Sequence, residues 1–326
     1  MNQKPIFLLG AHKSGTSLLR SILDGHSQLY AIPIESHYFQ NIKYWVNYEY
    51  RSQKPQRMST KEIINNFCKW IHKCNISTDQ YGDSIAKGLF DEFKFKEIFS
   101  TIKPTDNDKE LIEKYLEAIY FSLNETQISN KIRIVEKSVE NAEFAVDLNH
   151  LFPQAKFIHI IRNPYANIVS LRKYKSINYG FPLMPRILKS LYNSFYYLYK
   201  NQRVIKNYFT IRYEDLVLNP EKSVKSIGDF LAIEFENILL TPTTQSKLWH
   251  GNSTTGQVFH GIVSSNLDKW KSEIHQMEVK YINKLFPFML EDYGYEVYQH
   301  DGSWWKRAKG ENIKRYIYNR VYNFYL

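Results

Sequence analysis

Four short apolar runs, each ending at a glycine or a charged residue, predict the buried strands of this 326-residue chain. They start near residues 6, 132, 157 and 208, and a further short extended segment covers 29–34. The run Lys156–Ile161 is continuous apart from one histidine, as expected of a parallel strand buried on both faces. Because helical patterns separate these runs, the sequence predicts an α/β fold with a central parallel sheet flanked by helices.

Helical periodicity dominates residues 44–127, between the first and second of the four runs. Ser59 and Glu62 match a capping box, and apolar residues follow at helical spacing. A second apolar stripe begins near Asp108. Both stripes are typical of core-facing helices, so we predict a helical insertion over 44–127 that covers one side of a cleft.

Further patterns in the C-terminal half predict helices at 223–231 and from 267 onward. The last segment, 301–326, carries six Lys or Arg against two acidic residues, with Ile313 and Ile317 at helical spacing. Such a basic amphipathic helix can lie on an anionic membrane. Packing on its own domain is the alternative that we favour, and we treat 1–326 as a single domain.

Composition makes this chain a basic globular protein. Lys and Arg number 43 against 33 Asp and Glu, a formal net charge of +10, which favours anionic partners without choosing one. No apolar run is long enough to span a bilayer, and no signal sequence is evident, so we expect a cytoplasmic protein. Cys68 and Cys74 lie six residues apart in a predicted helix, on different faces, which argues against a disulfide or a zinc site.

The loop after the first strand has the composition of a phosphate cradle. Its residues lie between an apolar strand and an apolar-periodic helix, and they are Lys13, Ser14, Gly15, Thr16 and Ser17. A helix N-terminus offers unpaired N–H groups and a partial positive charge to an oxyanion. A Walker nucleotide loop has its lysine after the second glycine, followed by a hydroxyl for Mg²⁺. Here Lys13 lies two positions before Gly15, so the loop predicts anion binding with the cation at its front edge.

A second cation, Arg162, directly follows the most apolar run. It stands at the predicted carboxyl end of a central strand, where open α/β sheets bind their ligands. Pro164 then starts a helix at the position where its missing N–H costs nothing, and Ser170 lies about two turns into it. Since a guanidinium group can hold a phosphate bidentately, Arg162 and Ser170 are candidate phosphate ligands.

Together these motifs resemble those of the sulfotransferases that use 3′-phosphoadenylyl sulfate (PAPS). The loop H-K-S-G-T-S-L-L is similar to their phosphosulfate loop, and R-x-P-(x)₅-S is similar to their 3′-phosphate motif. The resemblance covers about residues 5 to 290 and implies a P-loop-like sulfotransferase architecture, with PAPS as donor, PAP as product and no metal. It also implies that the loop holds the 5′ end, that Arg162 and Ser170 hold the 3′-phosphate, and that Tyr213, in R-Y-E-D-L, contacts the adenine side.

The same resemblance indicates the catalytic groups. Glu35, in the segment E-S-H-Y-F, resembles the catalytic glutamate of carbohydrate sulfotransferases and is our candidate general base; pairing with a nearby lysine is the alternative. Lys137 ends a predicted strand as a family lysine does near the transferred group, although Val139 replaces the usual proline. It could instead be an exposed strand-end lysine. With Lys13, Lys137 would stabilise charge on the departing phosphate oxygen. For His37 two roles stay open, that of a core residue and that of a proton carrier.

The sequence therefore predicts a PAPS-dependent sulfotransferase whose hydroxyl acceptor is a sugar of a glycan or glycoconjugate. Tyrosine, phenol and lipid acceptors stay open. A P-loop phosphotransferase would need its lysine after Gly15 and a Mg²⁺ ligand. A basic module that binds a membrane or nucleic acid through 301–326 is the other alternative, and it would bind in a salt-dependent way; we expect no nucleic-acid partner.

Overall fold

The computed structural model describes residues 4–43, 58–76, 86–124, 128–179, 184–251 and 258–299, together with Ile313 and Ile317. The predicted insertion 44–127 and the predicted C-terminal helix 301–326 are therefore described only in part. Ile313 and Ile317 are both helical and more than half exposed, at 59% and 54%.

Five parallel strands form a central sheet in the order β2-β3-β1-β4-β5. They are β1 (Ile6–Gly10), β2 (Leu29–Ala31), β3 (Arg133–Lys137), β4 (Lys156–Ile161) and β5 (Tyr208–Arg212). A short antiparallel hairpin, β6 (Thr243–Thr244) with β7 (Lys247–Leu248), lies outside this sheet. The predicted α/β fold with a central parallel sheet is confirmed. Because all five strands point the same way, the residues that follow β1, β3 and β4 meet at one edge.

Helices connect the strands and pack on both faces of the sheet. They are α1 (Thr16–Leu23), α2 (Tyr38–Asn41), α3 (Thr60–Ile76), α4 (Glu92–Phe99), α5 (Asp108–Leu123), α6 (Ala145–Leu151), α7 (Pro164–Tyr179), α8 (Met184–Val204), α9 (Tyr213–Leu218), α10 (Pro220–Leu231), α11 (Gln276–Leu285) and α12 (Pro287–Asp292). In the part of the chain that the structure describes, no helix is both long enough and apolar enough to cross a membrane.

Side chains of β1 alternate between two hydrophobic cores, as the pleat of a strand requires. Phe7 and Leu9 pack with α3, α4 and α5 on one face, and Ile6 and Leu8 pack with α1 and α10 on the other. A third core joins α7, α8, α11 and α12. Burial on both faces explains why the strands of this sheet lack a polar alternation.

The helices α3, α4 and α5 fall within the predicted insertion and share an aromatic core. The rings of Phe67 and Tyr115 lie 4.3 Å apart, and those of Phe67 and Phe99 lie 4.9 Å apart. The predicted capping box is present, since Ser59 and Glu62 exchange side-chain to backbone hydrogen bonds. Cys68 and Cys74 of α3 are both free thiols.

Two predicted elements differ from the structure. The second strand ends at Ala31 rather than at residue 34, because Pro33 lacks the N–H that a continuing ladder needs. The segment from residue 267 does not open a helix but forms a short 3₁₀ turn, Lys269–Ser272. The helix begins later, at Gln276, where His275 and Glu278 form a capping box.

Candidate active site

The loop that follows β1 leads directly into the first turn of α1. Lys13 and Gly15 have left-handed backbones, with φ of 65° and 109°, a conformation that glycine adopts without strain. A Cβ atom at Gly15 would lie 2.5 Å from Cδ2 of Tyr213, so the glycine allows this ring to pack against the loop. The first N–H groups of a helix have no carbonyl partner within that helix, so the first turn of α1, at Thr16 and Ser17, is a place where an anion can bind.

Arg162 lies directly after β4 and bridges the loop to α7. Its Nη1 donates to the carbonyl of Lys13 at 3.0 Å and to Oγ of Ser170 at 3.3 Å. Its guanidinium carbon lies 4.8 Å from the centre of the Tyr213 ring. The structure thus brings Lys13, Arg162, Ser170 and Tyr213 into the wall of one pocket, which Gly15, Thr16 and Ser17 also line.

Residues that come later in the chain close the other side of this pocket. Three aromatic side chains and two lysines contribute, and these are Trp249, Phe259, Trp270, Lys173 and Lys269. Sequence reasoning missed Lys173, although it lies three residues beyond Ser170 on one helix, a spacing that places two side chains together. Lys173 pairs with Glu273 at 2.5 Å. Cations thus outnumber carboxylates in the pocket wall.

Ser14 is predicted to contact the PAPS molecule, but it is not among the residues that line the pocket. Its backbone N–H and its hydroxyl both donate to the carbonyl of Ala11, at 3.1 and 2.8 Å. Its side chain is buried, with 1% of its surface exposed. Ser14 therefore stabilises the turn and has no donor left for an anion.

Glu35 and Lys137 form an ion pair next to the loop. Their Oε1 and Nζ atoms lie 2.5 Å apart, and Nζ is also 3.4 Å from Oγ of Ser17. Lys137 is 1% exposed, so it is not an exposed strand-end lysine. Burial raises the pKa of Glu35, but Lys137 and the neighbouring histidines leave the pKa below its ordinary value. The pairing of Glu35 with a lysine, which was the alternative to its role as the base, is thus present and keeps the carboxylate ionised; the role as the base stays a prediction.

His37 lies between two carboxylates. Its Nε2 is 3.4 Å from Oε2 of Glu35, and its Nδ1 is 3.4 Å from Oε2 of Glu140. Burial lowers the pKa of His37, but Glu140 and Glu35 bring it above its ordinary value. Burial raises the pKa of Glu140, whereas His37 lowers it, to about 2. Both directions favour an imidazolium ion held between two ionised carboxylates.

One ligand atom from each of Glu35, His37 and Glu140 lies within 4.8 Å of the other two. A chelated metal ion would need a single ring nitrogen that faces the same point as both carboxylates. Here the two ring nitrogens face different carboxylates. The arrangement is therefore a chain of ion-pair contacts, in the order Glu140, His37, Glu35.

A buried carboxylate, Glu136, holds the backbone that carries Glu35 and His37. It accepts hydrogen bonds from the N–H of Ser36 at 3.3 Å, from Oγ of Ser138 at 2.6 Å and from the side-chain amide of Asn141. Ser138 in turn accepts the N–H of His37 at 3.2 Å. Sequence reasoning missed this network, although an acidic residue inside an apolar strand was a signal that could have revealed it.

The insertion reaches the site through Trp70 of α3. Its indole N–H donates to the carbonyl of Glu35 at 3.2 Å, and its ring contacts the His37 ring edge-on at 4.8 Å. On the other side, the Lys13 ammonium lies 4.7 Å from the centre of the Tyr174 ring. Aromatic rings from two helices therefore contact His37 and Lys13 of the site.

Comparison with known proteins agrees with this geometry. Residues 5–237 match the model of the Sulfotransferase family. The chain is 23% identical over 299 residues to protein-tyrosine sulfotransferase A of Caenorhabditis elegans, which covers 89% of this chain and 67% of that protein.

Two solved structures have a similar fold. A sulfotransferase domain from the curacin biosynthetic pathway superposes with a TM-score of 0.56 at 20% identity, covering 90% of this chain and 99% of that domain. The sulfotransferase domain of the Synechococcus PCC 7002 olefin synthase gives a TM-score of 0.56 at 19% identity, covering 90% of this chain and 97% of that domain. Because the family match covers most of its length, this chain belongs to the sulfotransferase family and is a PAPS-dependent sulfotransferase.

Proposed function

We propose that this enzyme transfers the sulfuryl group of PAPS in line to a sugar hydroxyl of a glycan or glycoconjugate. One observation carries the proposal: Lys13 and Arg162 line a single pocket, and Ser17 of the same pocket lies 3.4 Å from Lys137. A donor that fills this pocket would have its far phosphate at Arg162 and its reacting end at the pair of Lys137 with Glu35.

In this binding mode, each end of the donor meets a different set of cations. The 3′-phosphate contacts Arg162 and Ser170, and adenine packs on the Tyr213 ring. The first turn of α1 and Lys13 hold the 5′ end, where the helix N-terminus adds its partial positive charge. The predominance of cations in the pocket wall supports binding of an anion with several charges.

The proposed reaction needs one base and one group of cations. Glu35 takes the proton of the acceptor hydroxyl, and the acceptor oxygen forms a new bond to sulfur. The bond between sulfur and the bridging phosphate oxygen breaks, and its electron pair leaves on the 5′-phosphate of PAP. Lys13 and Lys137 stabilise the charge that develops on that oxygen.

A sugar hydroxyl is the acceptor that we favour, because the E-S-H-Y-F segment around Glu35 resembles carbohydrate sulfotransferases and the net charge of +10 suits an acidic glycan. A tyrosine hydroxyl is the second candidate. It is favoured by the similarity to the nematode relative, which is named a protein-tyrosine sulfotransferase.

The donor site is tested with PAP and a thermal shift assay. We expect PAP to raise the melting temperature, since a ligand present at 100 times its Kd stabilises the folded state by about 2.7 kcal/mol. Arg162→Ala should remove most of this shift. Arg203→Ala is the matched control, because Arg203 is exposed in the last turn of α8 and should keep the full shift. An equal shift in both variants would refute the assigned phosphate contact.

The acceptor is tested by a transfer assay with ³⁵S-labelled PAPS and separate panels of glycans and tyrosine peptides. Label on a glycan supports the proposal, and label on a tyrosine peptide alone replaces it with the second candidate. Glu35→Gln should lower kcat by about 10² to 10⁴-fold, the usual contribution of a general base, while the PAP-dependent thermal shift stays. Wild-type turnover in this variant would exclude Glu35 as the base.

A further inference from the structure

Glu140 and His37 lie beside the proposed base but have no part in the transfer described above. Glu140 belongs to the short 3₁₀ turn Val139–Ala142 after β3, and His37 precedes α2. Their side chains are 24% and 21% exposed, and 3.4 Å separates Oε2 of Glu140 from Nδ1 of His37. A carboxylate and an imidazole held together this deeply suggest a function connected with Glu35.

We propose that Glu140 is a positioning residue that acts through His37 to hold the Glu35 carboxylate in the orientation that the acceptor hydroxyl requires. The proposal rests on the proposed role of Glu35 as the base. Glu140 itself contacts no reacting atom. It belongs to a chain of three groups in the order Glu140, His37, Glu35.

The two oxygens of Glu35 face two different cations. Oε1 lies 2.5 Å from Nζ of Lys137, and Oε2 lies 3.4 Å from Nε2 of His37. These two contacts fix the plane of the carboxylate. Because each ring nitrogen of His37 faces a carboxylate, both can donate only when the ring carries two protons. A neutral ring would present a lone pair to one of the two carboxylates.

The second carboxylate is what makes the imidazolium ion favourable here. Lys137 already compensates the charge of Glu35, and it also disfavours a positive charge on His37. Without Glu140, the His37 ring would be desolvated and would share the one remaining carboxylate with a lysine. With Glu140, two carboxylates face two cations, and the charges balance.

Other titratable groups near this chain come from two further elements. His12, in the loop after β1, acts on both carboxylates and lowers the pKa of each. Cys74 of α3 interacts with Glu35, but burial raises the pKa of its thiol to about 12, so it is uncharged. Trp70 of α3 contributes an uncharged ring edge to His37. Among these groups, His37 is therefore the one whose charge depends directly on Glu140.

The backbone gives His37 little freedom to leave this position. Its φ of 48° is in the left-handed region, which costs a non-glycine residue free energy and persists where surrounding contacts enforce it. Those contacts are the hydrogen bond from its N–H to Ser138 and the buried Glu136 that accepts from Ser138. A strained residue with fixed partners on both ring nitrogens is consistent with positioning.

The Glu140→Gln variant keeps the size of the side chain and removes its charge. We expect the pKa of His37 to fall by about one unit or more, since an opposite charge within hydrogen-bonding range commonly shifts a pKa by one to three units. The His37 ring then becomes neutral near neutral pH, and Glu35 loses a cationic neighbour. Glu140 raises the pKa of Glu35 and the His37 charge lowers it, so these two losses oppose each other. The expected result is a lower kcat, because the Glu35 carboxylate loses one of the two cations that fix its plane.

The first experiment follows the His37 ring by NMR across pH, without donor or acceptor, with its signal assigned by its loss in His37→Gln. We expect a lower titration midpoint in Glu140→Gln than in the wild type, and partial restoration in Glu140→Asp. Glu143→Gln is the matched control, because Glu143 accepts a hydrogen bond from Asn193 and should leave the midpoint unchanged. Equal midpoints in Glu140→Gln and wild type would overturn the proposal.

The second experiment measures the pH profile of turnover and the PAP-dependent thermal shift in the same variants. Glu140→Gln should lower kcat, with the KM for PAPS and the PAP shift unchanged. Loss of the PAP shift would show a general disruption of the site and would also overturn the proposal. Full activity in Glu35→Gln would instead remove the proposed base, while the NMR titration still judges whether Glu140 controls the charge of His37.

Discussion

Gly15, Tyr213 and Arg162 contact one another in series, and each limits where the next can lie. The Tyr213 ring packs against Gly15, where a Cβ atom would come within 2.5 Å of the ring. On its other face, the Tyr213 ring contacts the Arg162 guanidinium, whose carbon lies 4.8 Å from the ring centre. The position of Arg162, the proposed phosphate-binding cation, thus depends on the absence of a side chain at residue 15.

The Gly15→Ala substitution tests this dependence. The new methyl group must displace the Tyr213 ring, so we expect PAP affinity, measured by titration calorimetry, to fall by about tenfold, or 1.4 kcal/mol. A further loss of about 1–2 kcal/mol in the free energy of unfolding comes from the left-handed backbone.

Gly88→Ala is the control that separates these two effects. Gly88 also has a left-handed backbone, with φ of 70°, but a Cβ atom there meets nothing within 4 Å. This variant should lose stability to a similar extent and bind PAP with wild-type affinity. If Gly15→Ala bound PAP as tightly as Gly88→Ala, the contact between Gly15 and Tyr213 would have no role in donor binding.

Single residues of the site could be predicted from sequence where they directly follow a predicted parallel strand. Arg162 follows an unmistakable buried strand, and Lys13 lies in a loop of small residues, so both were expected at the carboxyl edge of the sheet. Glu140 and Lys173 were not found, because their roles depend on partners from distant segments. Ser14 showed the converse, since its hydroxyl matched the motif but is used by the carbonyl of Ala11.

At the scale of elements, buried strands were predicted better than the helices around them. The strand Lys156–Ile161 has the predicted bounds, because a strand buried on both faces has an uninterrupted apolar signal. The edge strand β5 starts at residue 208 as predicted, although only Ile211 of it is buried. The long helix α8, Met184–Val204, was missed. Its buried residues recur at helical spacing, as at Met184, Ile187 and Leu191, so the sequence did carry the amphipathic pattern on which helix prediction depends.

Two helices near the donor pocket are joined by a buried ion pair. Arg172 of α7 contacts Glu278 of α11, with Nε and Oε1 2.6 Å apart and exposures of 6% and 1%. Arg172 also donates to the carbonyl of Glu273 at 2.7 Å, in the segment that closes the pocket. This pair therefore sets how α11 and the preceding turn lie on α7.

Arg172→Met should strongly destabilise the fold, because it leaves the Glu278 carboxylate buried without its partner. Removing one member of a buried pair commonly costs about 3–5 kcal/mol, measured here as the free energy of unfolding in urea. Lys225→Met breaks the exposed pair of Glu221 with Lys225 and should have little effect, as surface pairs contribute little. Similar losses in the two variants would contradict the importance of burial.

For the whole molecule, the order β2-β3-β1-β4-β5 determines where the site can be. The loop after β1 lies between the residue that ends β3 and the residue that follows β4, so Lys137 and Arg162 lie on opposite sides of the phosphate loop. Parallel strands could be predicted from their apolar runs, but their lateral order could not, because each pairing joins segments more than a hundred residues apart or separated by a helix. The sheet order is thus what turns separate motifs into one elongated pocket.

The same buried sheet has a consequence for stability in acid. His159 lies in the centre of β4, fully buried, with Nδ1 2.6 Å from the Tyr208 hydroxyl. Burial lowers its pKa from 6.5 to about 3. Between these two pH values the unfolded chain holds a proton that the folded chain does not. The free energy of unfolding should therefore fall by about 1.4 kcal/mol for each pH unit below 6.5.

The shifted pKa values of Glu35, Glu140 and His37 affect the free energy of unfolding in a different range of pH. The pKa values of Glu35 and Glu140 are lowered from 4.5, so their stabilisation is present above that value and is lost only as pH falls further. The pKa of His37 is raised above 6.5, so its contribution is complete below pH 6.5 and is lost only at higher pH. Burial raises the pKa of Glu136 above 4.5, so the contribution of Glu136 opposes that of His159 as pH falls toward 5. It is common to the wild type and a His159 variant and therefore cancels when the two are compared.

Replacing His159 with Gln removes the titrating group and keeps a side chain that can hydrogen-bond to Tyr208. Between pH 6.5 and 5, the wild type should lose about 2 kcal/mol more of its free energy of unfolding than His159→Gln does. Urea unfolding at several pH values measures both, and the comparison of slopes is independent of any constant offset in stability. His72→Gln is the control, since His72 is 56% exposed on α3 and should keep the wild-type slope. Parallel slopes in the wild type and His159→Gln would show that the buried ring accepts its proton without unfolding the sheet around it.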